Sequence, residues 1–234
     1  AMNGVHHGTF RHEIGNPDLT TETAYQLDFL YEYHTHQSIF SVTPFINYYN
    51  NFIYLRPTGQ FSPLPDAGQQ FRYMQHDALL SGAELLMQKA VGKKLVFTTK
   101  VQYVHAYNLS LGRYLPFIPP LELTFEPEIK SIKLGALKNL FVKPGFQYIF
   151  SQNLVDINEQ VTPAVFLINA DLGFQIYQNK TWGKVSFPRG IQINLGLRNI
   201  LNTPYLKHLS RYRLLDITEP GFNFMLTLRV PFAV

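Results

Sequence analysis

The chain alternates. From Thr23 to His34 the odd positions carry Thr23, Tyr25, Leu27, Phe29, Tyr31 and Tyr33, and the even ones Ala24, Gln26, Asp28, Leu30, Glu32 and His34. A period of two, apolar against polar, marks a strand whose faces meet different surroundings. The pattern returns eight times. Phe40, Val42, Pro44, Ile46 and Tyr48 alternate with Ser41, Thr43, Phe45, Asn47 and Tyr49. A strand over about Phe71–Gln88 has Leu79, Ala83, Leu85 and Met87 as its outer set and Gly82, Glu84 and Gln88 inside. The next, over Leu95–Tyr107, sets Phe97, Val101 and Tyr103 against Thr98, Lys100 and Gln102. Leu121, Leu123, Phe125 and Ile129 follow, opposite Glu122, Thr124, Glu126, Glu128 and Lys130. Three more segments run over 140–151, 166–176 and 191–198, and the last, from Phe222 to Phe232, sets Phe224, Leu226 and Leu228 against Asn223, Met225, Thr227 and Arg229.

The connections have a rhythm too. Short ones fall near His34–Gln37, Lys89–Lys94 and Lys133–Asn139. Long ones fall near Arg56–Gln70, Asn108–Pro120, Gln152–Pro163 and Asn199–Gly221. Only Tyr177–Gly190 is longer than its place predicts. Many segments exceed the roughly 5–6 residues of a soluble strand and suit the roughly 9–11 of a tilted strand crossing a bilayer. The predicted fold is all-β: antiparallel transmembrane β-barrel strands, with short turns at one end and long loops at the other. A soluble β-sandwich or lipocalin-like barrel also alternates, because one face packs on a core. Strand length and loop rhythm favour the membrane.

Composition agrees. Charged residues are 36 of 234, well below the roughly 25% usual for soluble domains. Phe and Tyr number 19 and 14 beside one Trp. The absence of Cys excludes disulfides, thiolate metal sites and Cys nucleophiles. A net charge of +4, with the cations scattered, gives no case for nucleic acid. The start, Ala1-Met2-Asn3-Gly4, has no basic or apolar leader, and the residue before Met2 reads as an addition, so the natural chain is expected to begin upstream.

Five segments carry a family resemblance. They are Asn3–Leu19 with Thr20-Thr21-Glu22, which holds the Gly-Asn-Pro-Asp-Leu box; Ser81-Gly82-Ala83-Glu84; Leu115–Pro120; Leu197–Tyr205; and the ending from Glu219 to Phe232. Together and in this order the chain resembles the C-terminal barrel half of TonB-dependent outer-membrane receptors. One departure is Ala233-Val234 after the terminal aromatic. Each box also has a local reading. Asn16-Pro17-Asp18 forms a turn, Pro119-Pro120 delays the ladder until Leu121, and Gly82 beside Glu84 is expected to leave lumen space for a plug.

The resemblance implies a 22-stranded barrel with an N-terminal plug and a TonB-contacting segment, in the outer membrane of a Gram-negative bacterium. Residues 1–234 would be its C-terminal portion, without the plug. Nine strands cannot close an antiparallel barrel, and Val5–Ile14 is the candidate for a short tenth. The implied partners are a metal complex as substrate, ferric siderophore first and zinc, copper or haem next; outer-membrane lipid; and the TonB complex through a plug. A free-standing small barrel acting as a porin or hydrolase is the alternative. No nucleophile elbow, phosphate loop or His-Glu-x-x-His motif occurs, so neither an enzyme nor a cofactor is expected.

The candidate metal residues are His6, His7 and His12, within seven positions on a long-loop end, where imidazole suits Zn, Cu, Fe or Ni. Their spacing matches no tight motif, and exposed loop histidines remain the alternative. His208, Arg211 and Arg213 in the last long loop are the candidate site for an anionic ferric chelate. His34 and His36 fall in a short turn, and His76 and His105 near strand ends.

Overall fold

The computed structural model describes residues 3–176, 180–187 and 190–231. The strands are β1 (Gly4–His6), β2 (Arg11–Ile14), β3 (Thr23–Asp28), β4 (Tyr31–His34), β5 (Ser38–Phe61), β6 (Gln69–Val91), β7 (Leu95–Asn108), β8 (Arg113–Tyr114), β9 (Glu122–Leu134), β10 (Leu137–Ile149), β11 (Val165–Ile176), β12 (Lys180–Trp182), β13 (Val185–Phe187), β14 (Ile191–Arg198) and β15 (Asn223–Arg229). One antiparallel wall runs β3/β4–β5–β6–β7–β9–β10–β11–β14–β15, which is nine positions. Among the described residues no pairing joins β3 or β4 to β15, so the wall is open. No described helix is long and apolar enough to cross a membrane.

The two faces of the wall divide as the alternation requires. On the outer face Phe97, Phe125, Phe146 and Phe166 form a row across four strands, with ring centroids 6.1–6.4 Å apart. Among the described residues nothing packs over this face: Phe125 and Phe166 are 38% and 44% exposed, and Leu27 and Leu226 67% and 64%. A sandwich would bury that row, so the soluble alternative fails here. The inner face carries a ladder of alternating charge. Lys100 lies 2.9 Å from Glu126, Glu126 lies 3.4 Å from Lys143, Lys143 lies 3.5 Å from Asp171, and Asp171 lies 2.7 Å from Arg198. It links β7, β9, β10, β11 and β14 side chain to side chain.

Several expectations are corrected. The first predicted strand is two strands, because Pro44 on β5 has no N–H to donate opposite Phe29. Phe29 N–H still donates to the Pro44 carbonyl at 3.0 Å, and the register is the same on both sides of the break. The Arg56–Gln70 connection is mostly strand. β5 continues to Phe61 and β6 begins at Gln69, with Arg56 opposite Arg72 and Phe61 opposite Gln69. At ~3.3 Å per residue these two strands reach roughly 75–80 Å, well past a bilayer.

Val5–Ile14 is not a tenth wall strand. β7 leaves β6 at the Ala78–Asn108 pair, where the Asn108 side chain accepts the Leu111 N–H and turns the chain. That bares the upper edge of β6, and β2 lies parallel along Gln69–Arg72. The described part of Tyr177–Gly190 forms the β12–β13 hairpin. Ala1-Met2 and the ending from Phe232 through Ala233-Val234 lie outside the described residues.

Gly82 does not leave space for a plug. Its inner side is filled by the ring of Phe45, opposite it on β5. A Cβ there would stand 2.7 Å from that ring and press on the Tyr103 carbonyl oxygen. Gly173 is covered in the same way by Phe141. Aromatic rings thus shield strand glycines from across the ladder.

Gly82→Val should therefore destabilise the fold by about 1–3 kcal/mol through overpacking. A urea titration of the natural protein in detergent checks this. Adding Phe45→Ala should recover only part of the loss, because the Tyr103 carbonyl stays in place.

Candidate functional site

The long-loop end holds the chemistry, and a bulge aims it. On β5 the inward residues up to Tyr49 are odd-numbered. Asn51 takes a left-handed conformation (φ 59°), and the register then shifts between Tyr49 and Phe52. The Asp77 carboxylate holds the irregularity, accepting from Asn51 N–H and Asn50 Nδ2 at 3.0 Å each. Beyond it the even residues Phe52, Tyr54 and Arg56 face inward. Without the extra residue each would point to the other face. Tyr54 Oη accepts from Asn108 Nδ2 at 2.9 Å and lies 3.1 Å from His76 Nδ1. Tyr54, Ala78, Ala106 and Leu115 make a small buried cluster beneath the loops.

Above this cluster is a cleft of about 480 Å³ whose lining includes Arg56, Arg72, Arg113, Gln70, Met74 and Asn158. Arg56 and Arg72 face each other directly across β5 and β6. Arg56 Nε lies 2.6 Å from Asp156 Oδ2, and Arg113 lies 4.0 Å from the other Asp156 oxygen. Asp156 is fully shielded, and its carboxylate also accepts the Ile157 N–H at 2.7 Å.

Beside the cleft, two loops are locked together by a buried ion cluster. Glu159 Oε1 lies 3.1 Å from His208 Nε2 and 3.4 Å from Arg213 Nη2, and all three side chains are at most 2% exposed. Glu159 Oε1 also accepts the Phe117 N–H at 3.0 Å, which ties in a third loop. Arg213 Nη1 donates to His208 Nδ1 at 2.6 Å and to the Gln160 carbonyl at 3.0 Å. The His208 ring thus stands between Arg213 at Nδ1 and Glu159 at Nε2. Burial raises the Glu159 carboxyl, but His208 and the Phe117 N–H outweigh it and hold the group below its ordinary value. Burial lowers the Arg213 guanidinium, and Glu159 offsets this in part.

The sequence candidates are distributed differently. His208 and Arg213 are brought together, but buried beside Glu159; Arg211 is exposed. His6 and His12 lie on opposite faces of the β1–β2 hairpin, since Val5 pairs with His12 and His6 with Arg11. His6 lies 3.6 Å from Glu13, His12 Nδ1 lies 3.0 Å from Ser62 Oγ, and His7 is exposed. Among the described residues no three potential ligand side chains gather around one metal position. His34 and His36 are exposed. His76 lies inside β6, and His105 lies three residues before the end of β7. The residues missed are Arg56, Arg72, Arg113, Asp156 and Glu159. The period of two that runs on through Ile53, Leu55 and Pro57, and through Phe71 and Tyr73, was the signal for the first two.

Glu159→Gln leaves Arg213 buried without a counter-charge, a loss of about 3–5 kcal/mol. Tryptic cleavage at the exposed Lys207 and Arg211 should then rise about tenfold or more; an unchanged rate would mean the lock carries no weight. Acid should act the same way. Glu159 has a lower folded than unfolded pKa, so its contribution is present above about pH 4.3 and lost as pH falls through the folded value. Proteolysis by an acid-active protease across that range reads it.

Comparison with known proteins places the chain. The family model described as "TonB dependent receptor-like, beta-barrel" matches residues 2–200. Among curated proteins none matches this sequence. Similar solved structures include the copper transporter OprC, with TM-score 0.74 and 18% identity over 91% of this chain and 31% of that one. The FrpB iron transporter of Neisseria meningitidis has TM-score 0.62 and 12% identity over 93% and 32%. BauA, the ferric preacinetobactin receptor of Acinetobacter baumannii, has TM-score 0.60 and 12% identity over 88% and 29%. At these identities the likeness is one of fold, and the chain spans about a third of each structure's length. The open two-faced wall and the family match over most of its length agree: the chain belongs to the TonB-dependent receptor β-barrel family.

Proposed function

We propose that the chain is the C-terminal part of the barrel of an outer-membrane receptor that binds a metal complex and imports it when energised through TonB. The observation that carries this is the wall itself. One face is an unpacked aromatic and aliphatic surface suited to lipid, and the other is a polar, ion-paired surface suited to a wet or plugged lumen. Among the described residues both outermost strands have unpaired ladder groups, which a bilayer does not tolerate. Further strands of a larger barrel would pair them. A plug domain of the receptor would contact TonB. Members of the family are outer-membrane receptors of Gram-negative bacteria, and the relatives' names cover copper, iron and a ferric siderophore. Ferric siderophore is the leading substrate class, with copper, zinc and haem behind it. The reading is transport, not catalysis.

In this reading His208 and Arg213 lock the loops that frame the binding end. Arg211, exposed beside them, is free to meet an incoming anion.

The test uses the natural full-length protein in cells lacking its chromosomal copy. Uptake of radioactive iron as ferric siderophore should depend on both the protein and TonB. Protein-dependent uptake that persists without TonB would indicate a porin and overturn the reading.

A further inference from the structure

We infer that the cleft at the top of β5 and β6 is a binding site for a multiply anionic chelate, held by Arg56, Arg72 and Arg113, and that it rejects free metal cations. The inference rests on the transport reading for its biological role, and it chooses among the substrates that reading leaves open. The cleft is lined by three guanidinium groups and by no carboxylate. Among the described residues one acidic side chain, Asp156, reaches any of them, and it is engaged by Arg56 at 2.6 Å and by Arg113 at 4.0 Å. Arg72 has no ion pair among the described residues and is exposed. The local balance is therefore two positive charges in excess.

That excess is built in. Arg56 and Arg72 are direct cross-strand partners on the inward face. Like charges so placed repel, and a sheet gains from replacing either. The Asn51 bulge brings this about, because it turns Arg56 from the outer face to the inner one. An arrangement that costs stability without a ligand, and is relieved by an anion, is the expected form of an anion site. Guanidinium groups match the paired oxygens of carboxylates and similar planar oxyanions. The cleft, about 480 Å³, has the size of a small-molecule site rather than an ion site. Copper or zinc as a bare ion would meet repulsion from three cations, whereas a chelate with anionic oxygens turned outward would meet attraction.

The experiment uses the purified full-length receptor in detergent, with calorimetric titration by ferric citrate, a ferric tris-catechol complex, a neutral ferric trihydroxamate, and copper(II). Arg72 is the residue to change. It is exposed and unpaired, so Arg72→Gln should fold, as heat-modifiable gel mobility will show. The two anionic complexes should bind, and at least one should lose about tenfold in affinity in Arg72→Gln and more in Arg72→Glu. Binding of the neutral complex should not change, and copper(II) should bind the unaltered protein more weakly than either anionic complex. Raising the salt should weaken the anionic complexes alone. A folded receptor that binds neither anionic complex, or binds them equally after Arg72→Gln, overturns the inference. So does copper(II) binding to the unaltered protein as tight as that of the anionic complexes. TonB-dependent uptake separates the two readings. Uptake that is intact and indifferent to Arg72 sinks the anion site and leaves transport standing. Anion binding that depends on Arg72 without any uptake does the reverse.

Discussion

Backbone pairing in a single-layer sheet governs everything else in this protein. A strand in such a wall has no core to rest on. Its ladder fixes the register, and its register fixes which side chains face out. Because the side-chain period is two, one inserted residue reverses the assignment of everything beyond it. The bulge at Asn51, held by Asp77, is that insertion. Below it β5 presents Tyr48 outward and Tyr49 inward; above it Arg56 comes inward to meet Arg72. The basic cleft is a consequence of register.

The same constraint explains the inner charges. Side chains on neighbouring strands meet at fixed heights, so Lys100, Glu126, Lys143, Asp171 and Arg198 can form one ladder only because the register places them level. Lys100 and Arg198 are nearly half exposed, so each link is worth little, on the order of 0–1 kcal/mol. The ladder's value is geometric: alternating sign lets five charged side chains pair with one another across the inner face. The glycine positions complete the picture, since Phe45 and Phe141 cap the backbone at Gly82 and Gly173 from across the strand pair.

The loop end follows a different rule. Its ions are buried, so their pairing is expensive to break. Glu159 answers His208, Arg213 and the Phe117 amide at once, and so couples three loops that are far apart in sequence. Asp156, three residues earlier, is turned to Arg56 and Arg113. One short segment therefore carries two acidic groups, the first moderating the basic cleft and the second closing the lock.

The sequence by itself determined the wall. Nine alternating stretches, their outer and inner sets, the long-loop and short-turn ends and the family were all legible, because alternation is a local property that a lipid-facing sheet imposes on every strand. The tertiary structure decided the rest. Pro44 breaking the ladder opposite Phe29, β5 and β6 running on through residues read as loop, and β2 lying parallel on β6 all depend on which edge is left bare. The site was not legible for the same reason. Arg56, Arg72 and Arg113 come from three strands, Asp156 and Glu159 from a loop, and His208 and Arg213 from another. Only register and loop docking bring them together, and these also turned the two expected ligand residues, His208 and Arg213, into buried partners of Glu159.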